Sequence, residues 1–163
     1  MIAQSQKVAI VTGASGGIGA AVAKRLARDG FTVVVNYSGN AASAAAVVDG
    51  IAAAGGRAIP AQADIADVHA VRRMFESAET AFGGVDVLIN NAGIMTLATI
   101  AESDDALFDR QIAVNLKGTF NTIREAARRL RDGGRIVTSP RASSACCSRP
   151  TASTPALRPQ WKR

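Results

Sequence analysis

The strongest constraint in the chain is the apolar run Val8-Ala9-Ile10-Val11, which feeds directly into Thr12-Gly13-Ala14-Ser15-Gly16-Gly17-Ile18-Gly19 and then into an alanine-rich segment. A continuously apolar run is how a strand buried on both faces reads, so the sheet around it is expected to be parallel and central. Ile18, Val22 and Leu26 recur at helical spacing as far as Gly30, which predicts a helix lying on that sheet through these three residues and ending at a glycine. Between strand and helix, glycines at 13, 17 and 19 allow a sharp turn, let a phosphate approach the backbone without meeting a Cβ, and let the helix sit close on the strand. The free N–H groups and positive dipole end of the helix's first turn attract such an anion. Strand, turn and helix in this order form the context that a dinucleotide pyrophosphate site requires.

The same alternation continues. Phe31 to Asn36, Arg57 to Gln62, Val85 to Ile89 and Arg135 to Thr138 read as further strands. Ala41 to Ala54 reads as a helix with Val47, Val48 and Ile51 inward, ending at Gly55-Gly56. Asp67 is the expected N-cap of a helix whose Val68, Val71, Phe75, Ala78 and Phe82 share one face. Thr99 to Arg110 reads as a loop and short helix. A long helix is expected through Asn115, Leu116, Phe120, Ile123, Ala127 and Leu130, its apolar members buried, closed by Asp132-Gly133-Gly134.

Several motifs along this series carry a resemblance to the short-chain dehydrogenase/reductase family. They are the glycine turn with three residues between its first two glycines, Asp64-Ile65 after the third strand, Asn90-Asn91-Ala92-Gly93 after the fourth, Asn115 in Ala113-Val114-Asn115-Leu116-Lys117-Gly118, and Gly134-Arg135-Ile136-Val137 as the fifth strand. The resemblance covers residues 7 to 137. It implies an α/β fold, a Rossmann-like doubly wound parallel sheet of order 3-2-1-4-5, here truncated. The implied domain is residues 1–138, with a cofactor crevice at the C-terminal ends of the strands.

The cofactor residues implied are Gly13, Ser15, Gly17, Ile18 and Gly19 at the pyrophosphate, and Asn36, Tyr37 and Ser38 at the adenosine ribose. Asp64 and Ile65 fall at the adenine, and Asn91, Ala92 and Gly93 at the nicotinamide ribose. Asn36 stands where an acid would hold a ribose 2′-hydroxyl. A carboxylate there would repel a 2′-phosphate, whereas Asn36, Tyr37 and Ser38 can donate to one, which favours NADP(H), with NAD(H) as the alternative. Neither Gly16 nor Tyr37 is the arginine that members preferring NADP often carry.

The implied chemistry is hydride transfer between the nicotinamide and a carbonyl or alcohol. In the family a tyrosine is the general acid/base, a lysine lowers its pKa, a serine holds the substrate oxygen, and the residue matching Asn115 holds a water that relays a proton toward the lysine. Here the single tyrosine is Tyr37, and no Tyr-x-x-x-Lys occurs. The chain as written is expected to be inactive, and a catalytically dead NADP(H)-binding protein is the alternative. Family members are homo-oligomers.

Composition enters where it bears on partners. At 163 residues one domain is expected. The +6 charge suggests nucleic acid until it is located: Arg141, Arg149, Arg158, Lys162 and Arg163 fall after residue 138 without an acid, which leaves +1 for the rest. Trp161 is the sole aromatic among them, so nucleic acid is not the expected partner. No apolar run approaches the roughly 20 residues of a membrane span, and the start lacks a signal peptide's apolar core, so a cytoplasmic protein is expected. His69, the one histidine, has no second histidine with which to hold a metal, and Cys146-Cys147, adjacent in sequence, make neither a good disulfide nor a zinc site.

After Thr138 the composition changes. Four of the five prolines lie between Pro140 and Pro159, both periodicities vanish, and disorder is expected over 139–163. The genetic code offers a reason. Ser153 to Lys162 can be encoded as TCT ACG CCG GCA CTA AGG CCG CAG TGG AAG. From the last base of the serine codon this reads Tyr-Ala-Gly-Thr-Lys-Ala-Ala-Val-Glu, which contains the absent Tyr-x-x-x-Lys. The same offset from Val137 through Ala142 permits Asn-Leu-Ser-Ser-Ser, the family's serine-bearing strand end. A frameshift by one missing base near codon 137 is the expectation.

Overall fold

The computed structural model describes residues 6–139. The expected disorder of 139–163, its frameshift origin and the two cysteines thus lie, but for Ser139, outside the described residues. Five parallel strands, β1 Val8–Val11, β2 Thr32–Tyr37, β3 Arg57–Gln62, β4 Val85–Asn90 and β5 Leu130–Thr138, form one sheet in the order β3-β2-β1-β4-β5. Val11 sits beside Val35 on one side and Ile89 on the other, which aligns the C-terminal ends of the three central strands. Helices α1 Gly17–Arg28, α2 Ala41–Ala53, α3 Val68–Phe82, α4 Asp105–Ile112 and α5 Thr119–Arg129 connect them. Among the described residues no helix is long and apolar enough to cross a membrane.

Strand alternation divides the core into two layers. Val11, Val33 and Val35 meet α1 and α2 through Ala23, Ala27, Val47 and Ile51. Ile10, Val34 and Leu88 meet α3 through Val71, Met74, Phe75 and Ala78. The expected face of α3 is the one observed, its Asp67 cap accepting from the His69 N–H at 2.8 Å, while His69 itself is exposed.

Two expected faces are corrected. The closest contact of α1 with the sheet is made by Gly19, Ala23 and Ala27, with Val22 and Leu26 packed half-buried at its margin, and only Ile18, 64% exposed, departs from the expected face. Small residues at a spacing of four let the helix axis approach the strands closely. The long helix after residue 112 is also different. Residues Ala113–Gly118 form a π-helical segment, α5 stops at Arg129, and Asp132-Gly133-Gly134 fall within the segment of β5. Its buried side is polar: Asn121, Thr122 and Glu125 face inward with Ala126, while Leu116 and Phe120 are 65% and 57% exposed.

That polar side can be buried because its groups find partners, Asn121 and Thr122 on other elements and Glu125 within α5. Asn121 Nδ2 donates to the Ile65 carbonyl (3.0 Å) and Thr122 Oγ1 to Asn90 Oδ1 (2.7 Å). Glu125 pairs with Arg129, which also reaches Glu79 and Glu76 on α3. Burial on its own would lower the Arg129 pKa; the Glu79 and Glu125 carboxylates outweigh it and hold the guanidinium above its ordinary value.

Phe108, Ile112, Leu116 and Phe120 recur every four residues and are all exposed. Ile136 and Val137 on β5, the edge strand among the described residues, are exposed as well. Apolar stripes and open edges associate. Sedimentation velocity at tens of micromolar is expected to find species larger than a monomer, and Leu116→Lys with Phe120→Lys to reduce them. A monodisperse, cooperatively melting parent monomer would contradict this.

Candidate functional site

The turn after β1 is built around Thr12, which is fully buried. Its Oγ1 accepts from the N–H groups of Asn91 and Ala92, each at 3.0 Å, and lies 3.3 Å from the Ile89 carbonyl. Asn91 returns the contact, its Nδ2 donating to the carbonyls of Thr12 (3.0 Å) and Gly13 (3.2 Å). The strand end of β4 is thereby locked to the glycine turn across the point where the sheet's connections change face. Thr12→Val would strand two N–H groups and is expected to lower the unfolding free energy by about 2–4 kcal/mol, read by urea denaturation.

The three glycines have different tasks. A Cβ on Gly13 would lie 2.8 Å from Ala92 Cα, and one on Gly19 2.4 Å from the Gly13 carbonyl and 2.5 Å from Asn91 Nδ2. Both positions are filled by the protein's own packing. Gly17 is the opposite case: φ is +54°, and a Cβ there would meet nothing within 4 Å. Its backbone faces open space at the first turn of α1.

That first turn is also electrostatically unfilled. The N-caps of α2, α3 and α4, which are Asn40, Asp67 and Asp104, each accept a backbone N–H with a side-chain oxygen. Gly16 at α1 makes no such bond, and the first turn contains no acid. Donors and dipole are left for an external anion.

Beside the turn lies a cavity of about 120 Å³ lined by Gly13, Asn36, Ser38, Asp64, Ile65, Ala92, Gly93 and Arg110, among others. Seven of the residues singled out in the sequence therefore meet in one place. Gly17, Gly19, Ser15 and Ile18 belong to the adjoining turn, and Asn91 braces it from beneath. Tyr37 is half-buried against the layer under α1 and α2.

Asn36 has a different task from the one expected. It is 1% exposed, its Nδ2 donates to the carbonyls of Ala61 (3.2 Å) and Ala63 (3.0 Å), and its Oδ1 accepts from the Gly13 N–H at 3.2 Å. Both donors are spent at the C-terminal end of β3 and just beyond it, so Asn36 holds the glycine turn to the sheet, while Ser38 is exposed at the cavity.

Asn115 is similarly committed. Its Nδ2 donates to the Ile94 carbonyl (2.8 Å) and its Oδ1 accepts from the Ile94 N–H (2.9 Å), tying the π-helical segment to the loop after Gly93. Such segments recur at functional sites because they re-aim side chains. The Asn115 carbonyl accepts from Thr119 Oγ1 at 2.9 Å.

Comparison with known proteins settles the kinship. The model of the short chain dehydrogenase family matches residues 7–156. The chain belongs to this family. An uncharacterized oxidoreductase of Methylorubrum extorquens is 47% identical over 131 residues, covering 80% of this chain and 53% of that protein. Versicolorin reductase of Emericella nidulans is 45% identical over 80% of this chain and 50% of its own length. A crystal structure of a short chain dehydrogenase from Burkholderia cenocepacia in complex with NADP superposes with a TM-score of 0.78 at 47% identity, covering 82% of this chain and 55% of that one. The chain thus spans about half the length of the relatives it matches, and its parallel sheet of order 3-2-1-4-5 is that of the family.

Thr12, Asn90, Thr122 and Arg110 were not among the residues picked from the sequence. Thr12 could have been found, since a hydroxyl ending an apolar strand is buried and needs partners. The other three act through residues 32 to 46 positions away; Asn90 stands in the motif Asn90-Asn91-Ala92-Gly93, and nothing local signals Thr122 or Arg110.

Among the described residues no group of three or more His, Cys, Asp and Glu side chains is placed to hold a metal.

Proposed function

We infer that this chain binds NADP(H) across the C-terminal ends of β1 to β4 and provides the nucleotide half of a site for hydride exchange with a small carbonyl or alcohol. The observation that carries this reading is the uncapped, acid-free first turn of α1 opening at Gly17 beside the cavity that contains Ser38, Asp64 and Gly93. The bound dinucleotide would supply the hydride. The chain's own residues bind and orient it: α1 N–H groups at the pyrophosphate, Asp64 at the adenine, and Ala92 and Gly93 toward the nicotinamide ribose. The NADP complex of the Burkholderia relative supports the choice of nucleotide.

The absence of a carboxylate at the end of β2 favours a 2′-phosphate. Contact with Ser38 and the neighbouring backbone is expected to make NADPH bind about tenfold more tightly than NADH, the gain of one charge-assisted hydrogen bond. Calorimetric titration with both nucleotides tests this, and equal affinities would remove the preference.

A second reading is favoured by one sequence fact: the single tyrosine, Tyr37, lies on β2, so no Tyr-x-x-x-Lys pair is present to move a proton. On that reading the chain binds NADP(H) without turnover. NADPH oxidation with a panel of ketones, quinones and acyl thioesters separates the two. Part of the first reading is that residues 138–163 are translated out of frame. The cytoplasm is the expected compartment.

A further inference from the structure

Asp64 follows β3 and Arg110 lies on α4, 46 residues later. Their side chains meet at the rim of the nucleotide cavity, which both line. The Asp64 carboxylate is held from two directions: Oδ1 accepts from the Ala66 N–H at 2.9 Å, and Oδ2 from Arg110 Nη2 at 3.1 Å. We propose that Arg110 is a positioning residue that fixes the Asp64 carboxylate so that the site selects a purine carrying a 6-amino group. The proposal rests on the nucleotide reading above.

Each carboxylate oxygen retains acceptor capacity after these two bonds, and an ionised carboxylate donates nothing. It therefore accepts from an exocyclic amine and repels a 6-oxo group at the same place. Arg110 is, among the described residues, the one cation lining this cavity. With side chains 53% and 37% exposed, the pair contributes little to folding. Its effect is directional. Without Arg110 the carboxylate keeps a single bond, to Ala66, and turns away from a fixed aim at the 6-position. Discrimination between donor and acceptor at that position is then lost before the fold is affected.

The test is titration of the full chain with NADPH and with its hypoxanthine analogue, which carries oxygen in place of the 6-amino group. The parent is expected to prefer NADPH about tenfold, Arg110→Ala about two- to threefold, and Asp64→Ala about onefold, as expected when one charge-assisted hydrogen bond is loosened or lost. Arg110→Lys should fall between parent and Arg110→Ala. The double variant should equal Asp64→Ala, because Arg110 acts only through that carboxylate. Arg110→Ala and Arg110→Lys should melt with the parent, and the Asp64 variants slightly below it for want of the Ala66 bond. Arg110→Ala with the parent's preference, or independent effects that multiply in the double variant, would overturn the proposal. A parent chain that binds neither nucleotide would instead overturn the nucleotide reading and this one with it.

Discussion

Gly17→Asp is expected to abolish NADPH binding while leaving the fold in place. A Cβ at Gly17 meets no atom within 4 Å, so the protein accommodates the side chain sterically, and the space it enters is the space in front of the uncapped α1 turn. The positive φ of +54° adds backbone strain of about 1–2 kcal/mol for a residue with a Cβ. That lowers the melting temperature by a few degrees without unfolding the domain. The effect on the ligand is of another order. A carboxylate some 4–5 Å from a pyrophosphate repels each unit charge by about 3–4 kcal/mol at an effective dielectric constant near 20, so the loss exceeds a hundredfold. The carboxylate also competes with the ligand for the positive end of the helix dipole. Gly19→Ala is the contrasting substitution: its Cβ would lie 2.4 Å from the Gly13 carbonyl, and the fold itself should fail. Calorimetric titrations that do not distinguish Gly17→Asp from the parent would remove the phosphate site from the α1 turn.

The strands and the glycine turn were legible because they depend on local pattern, and the strand order followed from the family resemblance. Continuous apolar runs at Val8–Val11 and Val33–Val35 have no other stable use than burial in a parallel sheet. The buried side of α5 was not legible, because apolar spacing through Leu116, Phe120 and Ile123 imitates a core stripe while the real contacts are polar. Asn121 is buried only because the Ile65 carbonyl needs a donor, and Thr122 because Asn90 does. Asn36 illustrates the same limit inside the site. Its place at the end of β2 is the one the family resemblance gives to the ribose, but its hydrogen bonds to Ala61 and Ala63 are visible only once β2 and β3 are paired. Arg110 belongs to the same class, with a partner supplied by topology alone.

On the proposed reading that residues 138–163 are out of frame, reinserting one base near codon 137 is expected to yield a working reductase. In the described residues the elements of the proposed nucleotide half are in place: Thr12 locks the turn, Asp64 is held at the cavity rim, and Asn115 fixes the loop after Gly93. What the written sequence lacks is a proton donor, and residues 138–163 can encode one at a single offset. Wobble positions leave the first base of each shifted codon open, so each recovered motif is permitted and not forced. Two motifs at one offset, in the family's order and near its spacing, make coincidence the weaker account. The sign follows from the direction of the shift: one base lost near codon 137 yields this frame, and its reinsertion restores the other. It accounts at once for the prolines, the paired cysteines and the arginine excess after Thr138. The nucleotide sequence of codons 137–163 and beyond decides the first step, since the shifted frame must read through Tyr-x-x-x-Lys into further strand and helix patterns. Expression with the base reinserted decides the second. A positioned general acid/base contributes about 10²–10⁴-fold, so carbonyl-dependent NADPH oxidation should rise by that factor over the parent chain. A shifted frame that closes at once, or a restored chain no more active than the parent, would leave the tail as native and the binding-only reading in possession of the site.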